Sequence, residues 1–479
     1  MATRAALRRA VASATARTTR LQAVYVDTTD QRLAAAGLAL RLRKEGRVWV
    51  QTLKGRGDGL MQRLEHEVTL PTQVAAIPTL NRHLHAGTAA GDALDAALKP
   101  DAELLPVYRT DIRRLHRRVR HQGAVIEIAY DCGHIMAGDQ KLAVDEIEFE
   151  LISGPAQALP ALAARWSQRF GLWWDVRTKS ERGFRLALGL AQVPPVKAQV
   201  LNYSASSSPQ AAFQNMLQSA LLHVLPNAAE LAGGGGTAEH LHQLRVALRR
   251  LRTALAVFAT WAVDEAQAGD KQAPLRTLFN ALGAARDADV VAHNWLPQMV
   301  EAGAPTALPA TTEAAQADVG PLLRDATFSV LLLQTLVLAM PSVAPEADPA
   351  DLRSAAARVL KTLWRRARSD AKAFAQAPAE QRHRARKRLK RLRYALEFLA
   401  PVFDSKKTQR FQQHLNAALE AMGHCNDLQV AQAHFENRAE TLPQAWFAVG
   451  WLAAQRGHLL RIAKRRLAKL RTCSLHLPG

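Results

Sequence analysis

The sequence predicts an α+β chain, an N-terminal antiparallel β-barrel followed by an all-α helical bundle that carries an internal two-fold repeat. Three observations predict it. Up to residue 152 short segments alternate polar and apolar residues, the mark of strands with one face in a core; after Pro209 apolar residues recur at helical spacing. In that second part a basic motif occurs twice, as His242-x-x-Arg245-x-x-x-Arg249-x-x-Arg252 and, 141 positions later, as His383-x-x-Arg386-x-x-x-Lys390-x-x-Arg393. A chain of 479 residues exceeds one ordinary core, and 48% hydrophobic with 22% charged residues is globular composition.

In chain order, the first 22 residues are basic, free of acid and rich in Ala, Ser and Thr, a composition shared with organellar transit peptides, but they lack the apolar stretch of a secretory signal. Strands are expected over Leu38 to Arg43, Val48 to Lys54 across a turn at Gly46, Arg63 to Val68, Val125 to Tyr130 and Val144 to Ile152, with Thr72 to Leu98 Ala-rich and helical. Many strands joined by short turns suggest a closed barrel. Val193 to Pro209, with Pro194, Pro195 and a Ser-rich run, reads as a linker, so the expected parts are residues 1–192, 193–209 and 210–479. Four glycines, Gly233 to Gly236, form a flexible loop before the first basic helix, and Pro305 to Ala315 and Pro341 to Asp351 read as further connections. The longest apolar run, Val330 to Met340, contains Gln334 and Thr335 and is shorter than the roughly 20 residues a membrane span needs, so it reads as a buried helix. Cys132, Cys425 and Cys473 are far apart and odd in number, which suits a reducing compartment and suggests neither a zinc site nor a disulfide framework.

The charge points to a polyanion. Formal net charge is +21, from 29 Lys and Arg against 20 Asp and Glu before Ala205 and 34 against 22 from there on, so both parts are basic. A basic surface kept for solubility is the plain alternative. At about 100° per helical residue, His242, Arg245, Arg249 and Arg252 fall within about 80° of one another, opposite Leu244, Leu248, Leu251, Leu255 and Phe258. The second copy sets His383, Arg386, Lys390 and Arg393 against Leu389, Leu392, Leu396 and Leu399. The repeat extends further: Gly283 of Leu-Gly-Ala-Ala-Arg286-Asp287 lies 41 residues after its His, and Gly423 of Met-Gly-His-Cys-Asn426-Asp427 lies 40 after its own. Each half therefore reads as a basic helix, a second helix and a Gly-containing turn or kink. Two such stripes match the charge density of a condensed phosphate, with Arg as bidentate donor, Lys as point charge and His as a pH-sensitive one. The two histidines read equally as buried helix-start residues until the repeat is weighed. Base-specific nucleic-acid reading has little support, since Tyr394 is the one aromatic abutting either motif.

In the strand part, Arg41 and Arg43 share a face, as do Arg63, Glu65 and Glu67, then Arg114, His116 and Arg118, then Glu146, Glu148 and Glu150. A half-solvated sheet also alternates, but ionisable residues of both signs on several strands suggest a charged barrel interior. Glu148 and Glu150 can hold Mg2+ or Mn2+ while Arg41, Arg43, Lys54, Arg63 and Arg114 neutralise a phosphate chain.

Tyr25-Val-Asp27-Thr28, Arg32 to Arg43, Trp49 to Gly55, Glu148 to Gly154 and Lys179-Ser-Glu-Arg-Gly183-Phe resemble the CYTH family of triphosphate tunnel enzymes, and the downstream half resembles the CHAD family, the conserved-histidine α-helical domain. The order is that of two-domain bacterial proteins similar to inorganic triphosphatases. The resemblance implies an eight-stranded tunnel that binds triphosphate with a divalent metal, and a helical bundle that binds inorganic polyphosphate. It further implies that Arg41, Arg43, Lys54 and Arg114 are tunnel cations, that Glu148 and Glu150 are metal carboxylates and that the two basic helices contact polyphosphate. One feature departs from the family: its opening strand carries Glu-x-Glu-x-Lys, and residues 1–20 contain no acid. The expectation is a start assigned too late, with an inert barrel on a polyphosphate-binding protein as the alternative. The expected location is the cytoplasm, at polyphosphate granules, with no membrane partner.

Overall fold

A computed structural model describes the chain except for residues 1, 58, 62, 72–75, 202, 284–294, 306–307, 309–317, 342–350, 404 and 476–479. The expected connections at 305–315 and 341–351 lie mostly outside the described residues, as do Arg286 and Asp287. The described chain divides into two compact units, one of residues 1–196, 225–237 and 320–337, the other of residues 197–224, 238–319 and 338–479.

The first unit is built on seven antiparallel strands: β1 (Arg17–Asp27), β2 (Ala39–Glu45), β3 (Val48–Arg56), β4 (Arg63–Leu70), β5 (Leu105–His121), β6 (Ala124–Ala137) and β7 (Gln140–Ser153). They lie in the order β4-β3-β2-β1-β5-β6-β7, so among the described residues β4 and β7 are edges and the expected antiparallel barrel is a curled half-barrel, open as the departure from the family's opening strand implies. Residues 2–11, where the family has its opening strand, form helix α1 (Ala2–Val11). Their composition decides this: alanine and arginine favour helix, and Leu7 and Val11 bury against Ile126, Ile128, Leu162 and Phe170 on the outside of the sheet. Each such burial contributes about 1.5–3 kcal/mol. Short α2 (Arg32–Ala35) is tied to the end of β1 by Asp27, whose buried carboxylate accepts from the backbone N–H groups of Thr28, Leu33 and Ala34 at 2.7, 2.9 and 3.0 Å. The Tyr-Val-Asp-Thr signature is therefore a structural clamp. Within 72–98 the described helix is α3 (Ala89–Ala97), started by Thr88 as N-cap.

After the sheet come α4 (Ala158–Phe170) and α5 (Lys179–Ala187). The sequence encodes the start of α5 as a capping box: Thr178 accepts from the N–H of Glu181 at 3.0 Å. Phe184 of α5 packs in the concavity with Tyr108, whose ring stacks on Tyr25 at 4.4 Å between centroids. Gly183 is required there, because a Cβ would stand 2.2 Å from the Tyr108 ring.

The rest is helical: α6 (Pro209–Ala232), α7 (Ala238–Val257), α8 (Glu265–Asp270), α9 (Gln272–Ala281), α10 (Leu296–Glu301), α11 (Gly320–Arg324), α12 (Ala326–Ala339), α13 (Leu352–Ala373), α14 (Ala379–Phe398), α15 (Lys406–Ala439) and α16 (Ala445–Thr472). The basic motifs lie on α7 and α14 with their leucine faces buried, Leu244, Leu248 and Leu251 on one and Leu389 and Leu392 on the other, each fully enclosed. Gly423 sits inside the continuous helix α15 rather than at a turn. The apolar run expected to be a buried helix is α12, and no described helix is long and apolar enough to cross a membrane.

Candidate functional site

Strand register alone assembles the first site. Directly opposed residues share a face, and the register opposes Arg63 to Arg56, Glu65 to Lys54 and Glu67 to Thr52, then Thr52 to Arg41 and Arg41 to Tyr25. Beyond the sheet centre it opposes Thr19 to Arg114, Arg114 to Asp131, Asp131 to Glu146 and Glu127 to Glu150. One concave face thus collects cations and carboxylates from β2 to β7, with Thr19 and Tyr25 of β1 between them.

On that face opposite charges are matched. Arg41 donates to the Tyr25 hydroxyl at 2.9 Å and lies 3.6 Å from Glu67; Arg43 pairs with Glu67 at 3.3 Å and with Glu45; Lys54 pairs with Glu65 at 2.6 Å. Arg63 is exposed at the outer end of β4. Arg114 grips buried Asp131 through two hydrogen bonds, at 2.8 and 2.7 Å, and reaches Glu148 at 2.5 Å.

Asp131, Glu146 and Glu148 each turn one oxygen toward a common point, all within 4.8 Å of one another. Glu150 is not among them. It faces Glu127 instead, and burial, then Glu127, then Glu65 of the opposite edge strand push its carboxyl above the ordinary range. At the common point stands the ammonium of Lys179 from the start of α5, 2.7 Å from Asp131, 2.5 Å from Glu146 and 2.6 Å from Glu148. Arg182, one turn on, pairs with Glu146. Burial alone would raise Glu148, but Lys179 and then Arg114 outweigh it and hold this carboxylate well below its ordinary range. Its side chain remains 46% accessible because it faces the open concavity, where surrounding protein still thins the bulk water. Three hard oxygen donors suit Mg2+ or Mn2+. Asp131 was missed from sequence, where its one signal is an acid directly after the expected strand Val125 to Tyr130, in the same alternation phase as Glu127.

In the second unit the stripe on α7 stacks on a ring. The guanidiniums of Arg245, Arg249 and Arg252 lie 4.6, 5.5 and 5.5 Å from the centroid of Phe279 on α9. The stripe thus has an aromatic platform besides Tyr394, contrary to the sequence expectation. Tyr394 receives a hydrogen bond from Arg249 at 3.3 Å and carries Arg393 over its ring at 4.5 Å, which ties the two basic helices to one locus. Lys390 belongs to the same cluster: burial, then Arg249, Arg386 and Arg393, push its ammonium down to about 6. The Nε atoms of Arg252 and Arg386 are buried without a hydrogen-bond acceptor among the described residues, whereas that of Arg393 lies 3.3 Å from a carboxylate oxygen of Glu397.

The repeat is also visible in space. Gly283 lies against Arg245 and Gly423 against Arg386, where a Cβ would stand 3.4 and 3.2 Å from the guanidinium. His383 lies 3.3 Å from the Asn426 side-chain oxygen, while His242 is half-buried. Arg250 was not singled out from sequence; it falls on the buried side of α7, over the Phe398 ring at 5.0 Å.

Residues 3–181 match the model of the CYTH domain and residues 215–436 that of the CHAD domain. The chain joins a CYTH domain to a CHAD domain. It is similar to the inorganic triphosphatase of Haemophilus influenzae, 33% identical over 165 residues, which is 34% of this chain and 44% of that protein. The chain therefore spans less than half the length of that relative. Among solved structures, the CHAD domain from the plant Ricinus communis is 29% identical with a TM-score of 0.49, over 60% of this chain and 99% of that one. PptA from Streptomyces chartreusis is 19% identical with a TM-score of 0.42, over 56% and 100%. Among the described residues the carboxylates of Asp131 on β6 and of Glu146 and Glu148 on β7 are the donor set that a divalent metal would take.

Proposed function

We propose that the CYTH unit hydrolyses inorganic triphosphate, or a related triphosphate, and that the CHAD unit holds inorganic polyphosphate. The observation that carries the first half is the concave face on which Arg41, Arg43, Lys54 and Arg114 flank the Asp131, Glu146 and Glu148 cluster. When bound, Mg2+ or Mn2+ would offset phosphate charge and polarise the phosphoryl group whose phosphorus is attacked. The chain's own residues bind and orient. Arg41 and Arg43 exchange Glu67, and Lys54 exchanges Glu65, for phosphate oxygens, so the phosphate chain replaces internal partners rather than entering an uncompensated site. Arg114, fixed by Asp131, neutralises the leaving phosphate. In the CHAD unit Arg245, Arg249, Arg252, Arg386 and Arg393 crowd together with the buried amine of Lys390, and the Nε–H groups of Arg252 and Arg386 lack acceptors among the described residues, which is the arrangement a polyanion relieves.

A second reading, a non-catalytic polyphosphate-binding protein, is favoured by the two unpaired edges of the half-barrel. Phosphate release from tripolyphosphate, with Mg2+ or Mn2+ and with EDTA, separates them. The proposal expects metal-dependent release that E148Q abolishes; no release with polyphosphate still retained selects the second reading. Changing Arg249, Arg252, Lys390 and Arg393 together to Ala should abolish retention on polyphosphate. Retention that survives these changes, yet is lost on changing scattered surface lysines, overturns the CHAD half.

A further inference from the structure

The acidic cluster of the CYTH unit is neutralised from within. Its three carboxylates face three side-chain cations, Arg114 on Asp131 and Glu148, Arg182 on Glu146, and Lys179 on all three. Arg114 reaches two of the carboxylates and Arg182 one, whereas the Lys179 ammonium touches all three. Its three N–H donors each find one carboxylate, at 2.5 to 2.7 Å, so the ammonium sits where the three oxygens converge. A divalent ion needs the same oxygens at about 2.0–2.6 Å, and two cations cannot share one seat. The helix itself cannot readily withdraw: Phe184 is locked among Tyr108 and its neighbours, and Arg185 is clamped to buried Glu230 by hydrogen bonds of 2.6 and 2.9 Å. Only the Lys179 side chain is free to yield.

We infer that Lys179 is a tethered occupant of the metal seat, which a divalent ion must displace in order to bind. The inference rests on the reading of Asp131, Glu146 and Glu148 as metal ligands and adds what guards them. It explains how three carboxylates stay together before metal arrives, since without a central cation their mutual repulsion would oppose the fold. It also makes metal entry release a cation into the concavity that receives the phosphate chain.

The test is direct metal binding to the full-length protein, with no substrate present. Mn2+ binding followed by electron paramagnetic resonance should be at least about tenfold tighter in K179M than in wild type, the factor expected if the seat is open less than about a tenth of the time. K179R, which keeps the charge, should stay near wild type, and E148Q should bind poorly. On the unmodified protein, acetylation of Lys179 read by mass spectrometry should speed up when Mg2+ is added, because the displaced amine becomes accessible; this arm stands whether or not K179M folds. Equal Mn2+ affinity of wild type and K179M, or Lys179 acetylation that metal leaves unchanged or slows, overturns displacement while the metal site stands. No Mn2+ binding by either protein overturns it by removing the seat, and with it the metal reading of the cluster.

Discussion

Lys390 offers a quantitative handle on the CHAD unit. It faces Arg249 of α7, Arg386 and Arg393 of its own helix and Asp427 of α15; burial and the three arginines outweigh the aspartate and bring its ammonium from the usual 10.5 to about 6. Near pH 7 the unliganded side chain is therefore mostly uncharged. A phosphate oxygen placed among these cations draws the proton back, so binding of polyphosphate takes up a proton wherever the pH lies above the free value and below the bound one. One proton is worth at most a tenfold change per pH unit, so between about pH 6.5 and pH 8.5 the association constant should fall by up to about 100-fold. His383 sits below its ordinary value, through burial and then Lys387. The sign for stability is opposite. Because the folded value is depressed, the unliganded fold binds fewer protons than the unfolded chain from about pH 6 to 10.5, and this group's contribution to stability rises with pH across that range. Fluorescence anisotropy with long-chain polyphosphate at fixed ionic strength measures the first effect on wild type and K390M. A flat wild-type profile, or K390M with the same slope as wild type, refutes the reasoning.

Two further outcomes follow from packing. G183A would press a methyl group into the Tyr108 ring, and the required shift should cost about 1–3 kcal/mol in chemical denaturation; an unchanged midpoint would mean that α5 packs loosely. F279L removes the ring beneath Arg245, Arg249 and Arg252 but no charge, so polyphosphate affinity should drop while the salt dependence keeps its slope. R249A should instead lower that slope by about 0.7, and a slope equally reduced in F279L would show that the ring is not merely organising the cations.

The sequence by itself determined the two-part α+β plan, because period-two and helical patterning are local consequences of backbone geometry. It determined the basic stripes too, since four residues at spacings of three and four must share a helix face whatever surrounds the helix. Lys179 and Gly183 were visible as part of a motif, but without a reason. Only tertiary structure decided that β4 and β7 are open edges, that Asp131 joins Glu146 and Glu148 while Glu150 does not, and that an ammonium from α5 occupies their centre. It alone set Phe279 beneath three arginines and Tyr394 between the two basic helices. The physical reason is the same in each case. Patterning fixes which way a side chain points from its own element, whereas the partner it meets there depends on strand register and helix packing, which are settled by contacts between residues far apart in the chain.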